Sequence, residues 1–121
     1  MEWEWHPFSA TEIHDTLSKC SNLSAPGPDH MSWYHVKRLC GDSNFLTYLF
    51  HLADACIEQS YWPSYFKESV SIVIPKPNKS DYSTPKSLRP IVLLNTLGKL
   101  IEKLISMRMH FECGACHILH P

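Results

Sequence analysis

Residues 69–95 read SVSIVIPKPNKSDYSTPKSLRPIVLLN, two apolar runs separated by a polar segment. In residues 70–74 the apolar side chains recur at alternate positions, which is the period of a β-strand. Residues 91–94 form a second short run after Pro90, whose missing N–H favours a strand start or an edge. Parallel pairing needs a crossover of about a dozen residues, usually a helix. The segment between the runs has no apolar face with which such a helix could pack on the sheet. The sequence therefore predicts an antiparallel hairpin with residues 76–87 as an exposed loop.

The predicted hairpin brings two basic residues to the same end of the sheet. Lys76 follows the first strand and Arg89 lies at the start of the second, on opposite sides of the loop. A guanidinium group binds phosphate oxygens through two hydrogen bonds and keeps its charge. Lys76 is a point charge on a proline-stiffened loop. We therefore predict that both residues bind one phosphate group, the alternative being two ordinary solvated charges.

Helical periodicity and capping signals surround the hairpin. Ser9 and Glu12 have the spacing of a capping box. The predicted helices run from Ser9 to near Asn22, from a cap at Asp29 to Cys40, from a cap at Ser43 to before Pro63, and from a cap at Asn95 or Thr96 to Met109. This order predicts an α+β fold, with helices packed on a small antiparallel β-hairpin. Within one domain, residues 1–121, we distinguish a helical part at about 9–60, the hairpin and following helix at about 67–109, and a frayed tail at 110–121.

The net charge of −1 conceals opposite charges in the two halves. Residues 1–66 carry three positive and eight negative side chains, for −5, whereas residues 67–108 carry eight positive and three negative, for +5. A basic segment of this kind suggests a polyanionic partner, against the simpler reading of two solvated surfaces. Lys99, Lys103 and Arg108 on the last helix are candidates for weak contacts with a nucleic-acid backbone. The plainer alternative for these three residues is a polar helix face.

Three features of the sequence indicate where the protein resides. The five cysteines are an odd number, the N-terminus is acidic, and no apolar run approaches the roughly 18 residues of a membrane span. We therefore expect an intracellular protein without membrane association.

Cys113, Cys116 and His117 have the spacing of a haem attachment motif, and with His110 and His120 they also suggest zinc. We favour a reduced, frayed tail that binds no metal.

Three sequence blocks point to a known family. The blocks are Ser24-Ala25-Pro26-Gly27-Pro28-Asp29 with Trp33-Tyr34 and Lys37; Trp62-Pro63 and Phe66-Lys67 leading into Val73-Ile74-Pro75-Lys76-Pro77; and residues 82–99 with Glu102-Lys103 and Arg108. In their order and spacing over residues 24–108 they resemble non-LTR (LINE-type) retrotransposon reverse transcriptases. In this family a further glycine normally follows the first block, where this chain has His30. At a positive φ, histidine is less favourable than glycine.

The resemblance implies part of an RNA-directed DNA polymerase, namely its N-terminal fingers region. Basic residues there contact the triphosphate of the incoming nucleotide, and Arg89 and Lys76 stand at matching positions. The implied partners are an RNA or DNA template-primer and a dNTP, with Mg²⁺ as cofactor of the intact enzyme and a nuclear location if the parent element is active.

In the family, the segment at residues 119–121 leads towards the motifs with the catalytic aspartates. We therefore expect a chain truncated before the palm, without catalytic aspartates or a cofactor of its own and inactive alone. The five aspartates are scattered along the sequence, whereas two-metal catalysis needs clustered carboxylates. The alternative is a stand-alone, non-catalytic nucleic-acid-binding domain. The coding sequence downstream of Pro121 would distinguish the two.

Overall fold

The computed structural model describes residues 5–118. The elements follow in the order α1 (Ala10–Ser18), α2 (Trp33–Leu39), α3 (Ser43–Glu58), α4 (Ser64–Lys67), β1 (Ser69–Pro75), a 3₁₀ turn (Pro85–Ser87), β2 (Leu88–Leu94) and α5 (Thr96–Ala115). This confirms the predicted α+β fold with an antiparallel hairpin. Within the same residues, no helix combines the length and the apolar character that a membrane crossing requires.

α1 begins as predicted and ends earlier. The hydroxyl oxygen of Ser9 accepts the Glu12 N–H, and the Ser9 N–H donates to Glu12 Oε1, each at 3.3 Å. These reciprocal bonds complete the predicted capping box. The helix ends at Ser18, where the Lys19 N–H donates to Thr16 O and tightens the last turn.

Two of the predicted helix caps are wrong. Asp42, and not Ser43, caps α3, because its Oδ1 accepts the Asn44 N–H at 3.0 Å while Ser43 is already helical. Ser32, and not Asp29, is the N-cap residue of α2. In both cases the sequence offers two capping residues close together, and the backbone conformation decides between them.

The sequence did not predict α4 or the full length of α5. α4 is a single turn after Pro63, too short to produce a periodic pattern. α5 continues beyond the predicted end at Met109 to Ala115, so residues 110–115 of the predicted frayed tail are helical. The Cys116 N–H closes the helix by donating to Glu112 O at 2.9 Å.

The middle of α5 lies at the centre of the core. Leu100, Ile101 and Leu104 are buried, and their helix packs mainly against α1 and α2. In the described chain, no strand residue belongs to this core. The helices therefore hold the fold together, and the buried residues that α1, α2 and α3 contribute are Ile13, Leu17, Trp33, Val36, Leu49 and Ala53.

β1 and β2 form the predicted antiparallel hairpin. Ser69 pairs with Leu94 at one end and Pro75 with Leu88 at the other. The loop of residues 76–87 is exposed apart from its first and last residues. Apolar side chains are exposed along the hairpin, including Val70, Ile72, Val73 and Val92. Because the hairpin adds nothing to the core, its position depends on the residues at its base.

Candidate nucleic-acid-binding hairpin

The hairpin register places Lys76 and Arg89 on one face. Arg89 pairs with Ile74, and the Lys76 N–H donates to Ser87 O at 2.8 Å, which extends the ladder by one residue. Because successive side chains alternate between the faces of a sheet, Lys76 lies on the same side as Ile74 and hence as Arg89. Diagonal neighbours of this kind are about 7–8 Å apart. Two long cationic side chains at this spacing can reach one phosphate group.

Hydrogen bonds within the loop hold the backbone of Lys76. Its carbonyl oxygen accepts the Tyr82 hydroxyl at 2.8 Å, and its N–H is bonded to Ser87. Ser87 is buried, where its N–H donates to Thr84 O at 3.1 Å and its hydroxyl donates to Asp81 O. The loop thus presents Lys76 from a constrained backbone.

The hairpin and its loop are strongly basic. Residues 69–94 contain four cations and one carboxylate, for a net charge of +3. The carboxylate of Asp81 accepts the Ser83 N–H and hydroxyl at 2.9 and 2.8 Å, and these bonds lower its pKa. Among residues 5–118, none of the four cations forms an ion pair with a carboxylate. Their charge is therefore available to a polyanion, and the four residues are Lys76, Lys79, Lys86 and Arg89.

A buried asparagine fixes the base of the hairpin. Asn95 follows β2 directly and is 1% exposed. Its Oδ1 accepts the Asp29 N–H at 3.1 Å, and its Nδ2 donates to Tyr65 O at 2.8 Å. Asn95 is the N-cap residue of α5 by position, but its side chain does not cap the helix. Instead it joins the loop before α2 and the short helix α4 to the end of β2.

Further contacts complete this junction. The Thr96 hydroxyl donates to Met31 O at 2.6 Å, and the Tyr65 hydroxyl donates to Asp29 Oδ2 at 2.8 Å. The latter bond raises the pKa of Tyr65. Gly27 lies so close to the backbone at the end of β2 that a Cβ atom there would overlap it. All three sequence blocks that carry the family resemblance therefore meet at the base of the hairpin.

The predicted basic row on α5 is not uniform. Lys99 is half-buried and Lys103 is exposed. Arg108 differs from the prediction, because its Nη2 pairs with Glu12 Oε1 at 2.6 Å and its side chain is only 13% exposed. Its guanidinium also lies 4.4 Å from the ring centre of Phe8. Arg108 thus ties the segment before α1 to α5 and is not presented to a nucleic-acid backbone.

The described part of the cysteine- and histidine-containing tail, up to Ile118, shows no assembled metal site. Cys113 is half-buried on α5, and Cys116 and His117 are exposed at its end. Within residues 5–118, no three histidine, cysteine or carboxylate side chains form a group that could hold a metal ion. His120 lies outside the described residues. The residues described here therefore do not fit a magnesium site either.

Comparison with known proteins places most of the chain beside retrotransposon polymerases. It is 32% identical over 98 residues to the Retrovirus-related Pol polyprotein from type-1 retrotransposable element R1 of Bradysia coprophila, a match to 81% of this chain. It is 31% identical over 103 residues to the probable RNA-directed DNA polymerase from transposon X-element of Drosophila melanogaster. It is 30% identical over 103 residues to the RNA-directed DNA polymerase from mobile element jockey of Drosophila funebris, and each of these two matches covers 85% of this chain.

The chain is a homologue of LINE-type retrotransposon reverse transcriptases. No family model matches it. The matches cover 10% of the R1 polyprotein and 11% of the X-element and jockey polymerases, so the chain spans about a tenth of the length of the curated relatives that it matches. The family resemblance in the sequence is thereby confirmed, and the aligned segment is a small part of each polymerase.

The residues that sequence reasoning missed are those of the junction. Asn95 follows an apolar strand, and its residue type is already explained by a role as a helix cap. Gly27 stands between two prolines, and a turn is enough to explain a glycine there. Their tertiary roles depend on distant partners, since Asn95 bonds to Asp29 and Tyr65, which lie 66 and 30 positions earlier in the sequence. The sequence offers no local signal for these distant partners.

Proposed function

We propose that the chain is a fingers-type part of a reverse transcriptase, in which Arg89 and Lys76 bind phosphate groups of the incoming nucleotide. The observation that carries the proposal is the hairpin register, which puts both cations on one face. The homology to retrotransposon polymerases supplies the class of substrate. RNA or DNA template-primer and dNTP are the proposed partners of the intact enzyme, and the nucleus is its proposed site of action.

The two cations make different contacts in this proposal. Arg89 binds two phosphate oxygens with the planar set of donors on its guanidinium. Lys76 adds a point charge from a residue whose backbone N–H and carbonyl are both hydrogen-bonded. Lys99 and Lys103 remain candidates for contacts with a nucleic-acid backbone, and Arg108 is withdrawn because it pairs with Glu12. Contacts of this kind weaken steeply with salt. We expect the isolated chain to bind nucleic acid weakly and without sequence preference.

The proposed chemistry of the intact enzyme requires Mg²⁺ held by clustered carboxylates. The described residues provide no such donor group. In this proposal the chain supplies binding contacts and no chemical step. We expect no primer extension by the isolated chain with Mg²⁺ or Mn²⁺, and extension that survives rigorous purification would contradict the proposal.

A charge-reversal pair tests the binding surface. Arg89→Glu and Lys19→Glu make the same change of charge at exposed positions, one on the hairpin and one after α1. We measure binding of a fluorescent RNA–DNA duplex by anisotropy in low salt. We expect Arg89→Glu to weaken binding by at least about tenfold, because it removes more than one charge-assisted hydrogen bond and adds a negative charge, and to reduce the salt slope by at least about one. Equal losses in both variants would show that net charge alone, and not the hairpin, determines binding.

Nucleotide contact needs a separate measurement. In an amide NMR titration with dTTP, we expect the largest shift changes at Lys76 and Arg89, with little change at Lys19. Shift changes spread evenly over all cations would contradict a shared phosphate site.

The second candidate function is a stand-alone nucleic-acid-binding domain. The net charge of +3 on the hairpin favours this candidate, because the hairpin can attract a polyanion without a further domain. Sequencing of transcripts across the codon for Pro121 distinguishes the two candidates. In-frame codons for the family's aspartate motifs support the polymerase, and their absence from every transcript supports the separate domain.

A further inference from the structure

A groove beside α2 takes no part in the proposed function. It has a volume of about 350 Å³, and no carboxylate lines it among the described residues. α2 buries Trp33 and Val36 in the core, which leaves its other side to the groove. The residues that line the groove are His30, Met31, Tyr34, His35, Arg38 and Leu39.

Three of these side chains form a continuous exposed ladder. The Tyr34 ring is 48% exposed and lies 5.8 Å from the His35 ring in an edge-to-face arrangement. The Arg38 guanidinium lies 5.9 Å from the centre of the Tyr34 ring. Arg38 is exposed and forms no ion pair with a carboxylate within residues 5–118. Its Nη1 donates to the Tyr34 hydroxyl at 3.5 Å. The groove therefore offers exposed aromatic rings beside a positive charge that has no carboxylate partner.

We propose that this groove binds single-stranded nucleic acid, with one base stacked on Tyr34 and an adjacent phosphate bound by Arg38. Exposed aromatic rings alternating with cations are the means by which proteins bind unpaired strands, because every base has a π face and every linkage a charge. The carboxylate-free lining adds charge complementarity. Paired bases in a duplex are stacked on one another and cannot reach the ring.

The groove and the basic hairpin are connected through the junction. Met31, which lines the groove, accepts the Thr96 hydroxyl at 2.6 Å, directly beyond the end of β2. The two surfaces share no residue, so the groove does not depend on the phosphate role of Arg89. One strand can contact both surfaces, and substitutions in each surface separate their contributions.

The test compares binding of a fluorescent oligo-dT and of a duplex of the same length by anisotropy. Tyr34→Ala should weaken oligo-dT binding by about five- to hundredfold, the range for the loss of one base stack. Tyr34→Phe should bind like the unsubstituted chain, because the ring is retained. Arg38→Gln should weaken oligo-dT binding and reduce its salt slope by about one. Duplex binding should be unchanged in Tyr34→Ala.

Two matched controls and a second measurement complete the experiment. Tyr61→Ala removes another exposed tyrosine and Lys19→Gln another exposed cation, and both should bind oligo-dT within twofold of the unsubstituted chain. Photocross-linking of 5-iodouracil oligonucleotide to the unsubstituted chain does not depend on a variant folding, and it should label residues 33–39. Unchanged oligo-dT affinity in Tyr34→Ala, an equal loss for duplex, or cross-links confined to other segments would overturn the proposal.

Discussion

Replacing Gly27 by alanine tests whether the hairpin is held where the structure places it. A Cβ atom at this position would fall within 2.6 Å of the Asn95 nitrogen and closer still to the Leu94 carbonyl group. Favourable contacts between heavy atoms need about 3.5–4 Å. The overlapping atoms all belong to the backbone, so no side-chain rotation relieves the overlap. The loop before α2 and the end of β2 must move apart.

The expected cost follows from this geometry. Overpacking a well-packed site typically costs about 1–3 kcal/mol, and the backbone overlap puts Gly27→Ala at the upper end. The separation also strains the hydrogen bond between the Asp29 N–H and Asn95, worth about 0.5–1.5 kcal/mol. We expect a loss of about 3 kcal/mol, a large share of the roughly 5–15 kcal/mol that stabilises a typical domain.

Two other glycines provide controls for the same chemical change. A Cβ at Gly98 would meet Phe66 side-chain carbons at 3.1–3.2 Å. Because that ring can shift slightly, we expect overpacking at the low end of its range, partly offset by the better helix propensity of alanine, and a net loss of at most about 1 kcal/mol. A Cβ at Gly114 in α5 would meet nothing within 4 Å. Gly114→Ala should stabilise the chain by up to about 1 kcal/mol through helix propensity.

Urea unfolding followed by circular dichroism gives the free energies of unfolding of the three variants and of the unsubstituted chain. The predicted order of stability is Gly114→Ala, then the unsubstituted chain, then Gly98→Ala, then Gly27→Ala. If Gly27→Ala unfolds within 0.5 kcal/mol of the unsubstituted chain, a value chosen as about the usual limit for a neutral surface change, the close approach at the junction is wrong. A loss in Gly114→Ala as large as that in Gly27→Ala would show that general chain effects dominate.

The remaining predictions concern three other sites. His30 has a φ of 60°, so His30→Gly should stabilise the chain by about 0.5 kcal/mol in the same unfolding assay, because relief of left-handed strain exceeds the entropy that glycine adds to the unfolded state; a net loss would contradict this reading. Arg108→Gln should cost about 1–2 kcal/mol, since it removes a paired and partly buried guanidinium, and Lys103→Gln on the same helix is the control that should change little. Burial raises the pKa of the Cys40 thiol to about 11, so at pH 8 it is almost entirely protonated and should react with a disulfide reagent only as fast as the chain opens, while exposed Cys116 should react at once; equal rates would show that Cys40 is not in the core.

The hairpin was predictable because its signals are local. The alternation in residues 70–74, the prolines around the loop and the absence of an apolar face in residues 76–87 all lie within the segment itself. Together these features determine antiparallel pairing, and the pairing determines which side chains share a face. The positions of Lys76 and Arg89 therefore followed from the sequence. Their binding to phosphate remains a prediction.

The junction and the Arg108 contact were not predictable in the same way. Arg108 fits a basic helix face by spacing, and only the packing of α1 against α5 brings Glu12 to it. Asn95 is a good helix cap by residue type, but the nearby Asp29 N–H and Tyr65 carbonyl bind its side chain instead. In both cases a local role competes with a distant one. The sequence contains no local signal for the distant partner.

The arrangement of the core bears on how the hairpin can work. Because no described strand residue is part of the core, changes in the hairpin leave the main source of stability in place. The candidate binding surface on the hairpin can therefore vary in sequence while the helices remain folded. Its orientation, however, depends on a few fixed contacts at Gly27, Asn95 and Thr96, and the Thr96 hydroxyl also donates to the carbonyl oxygen of Met31, which lines the α2 groove. A shift at this junction moves both candidate binding surfaces relative to each other, so a nucleic acid that contacts both is sensitive to residues that it never touches.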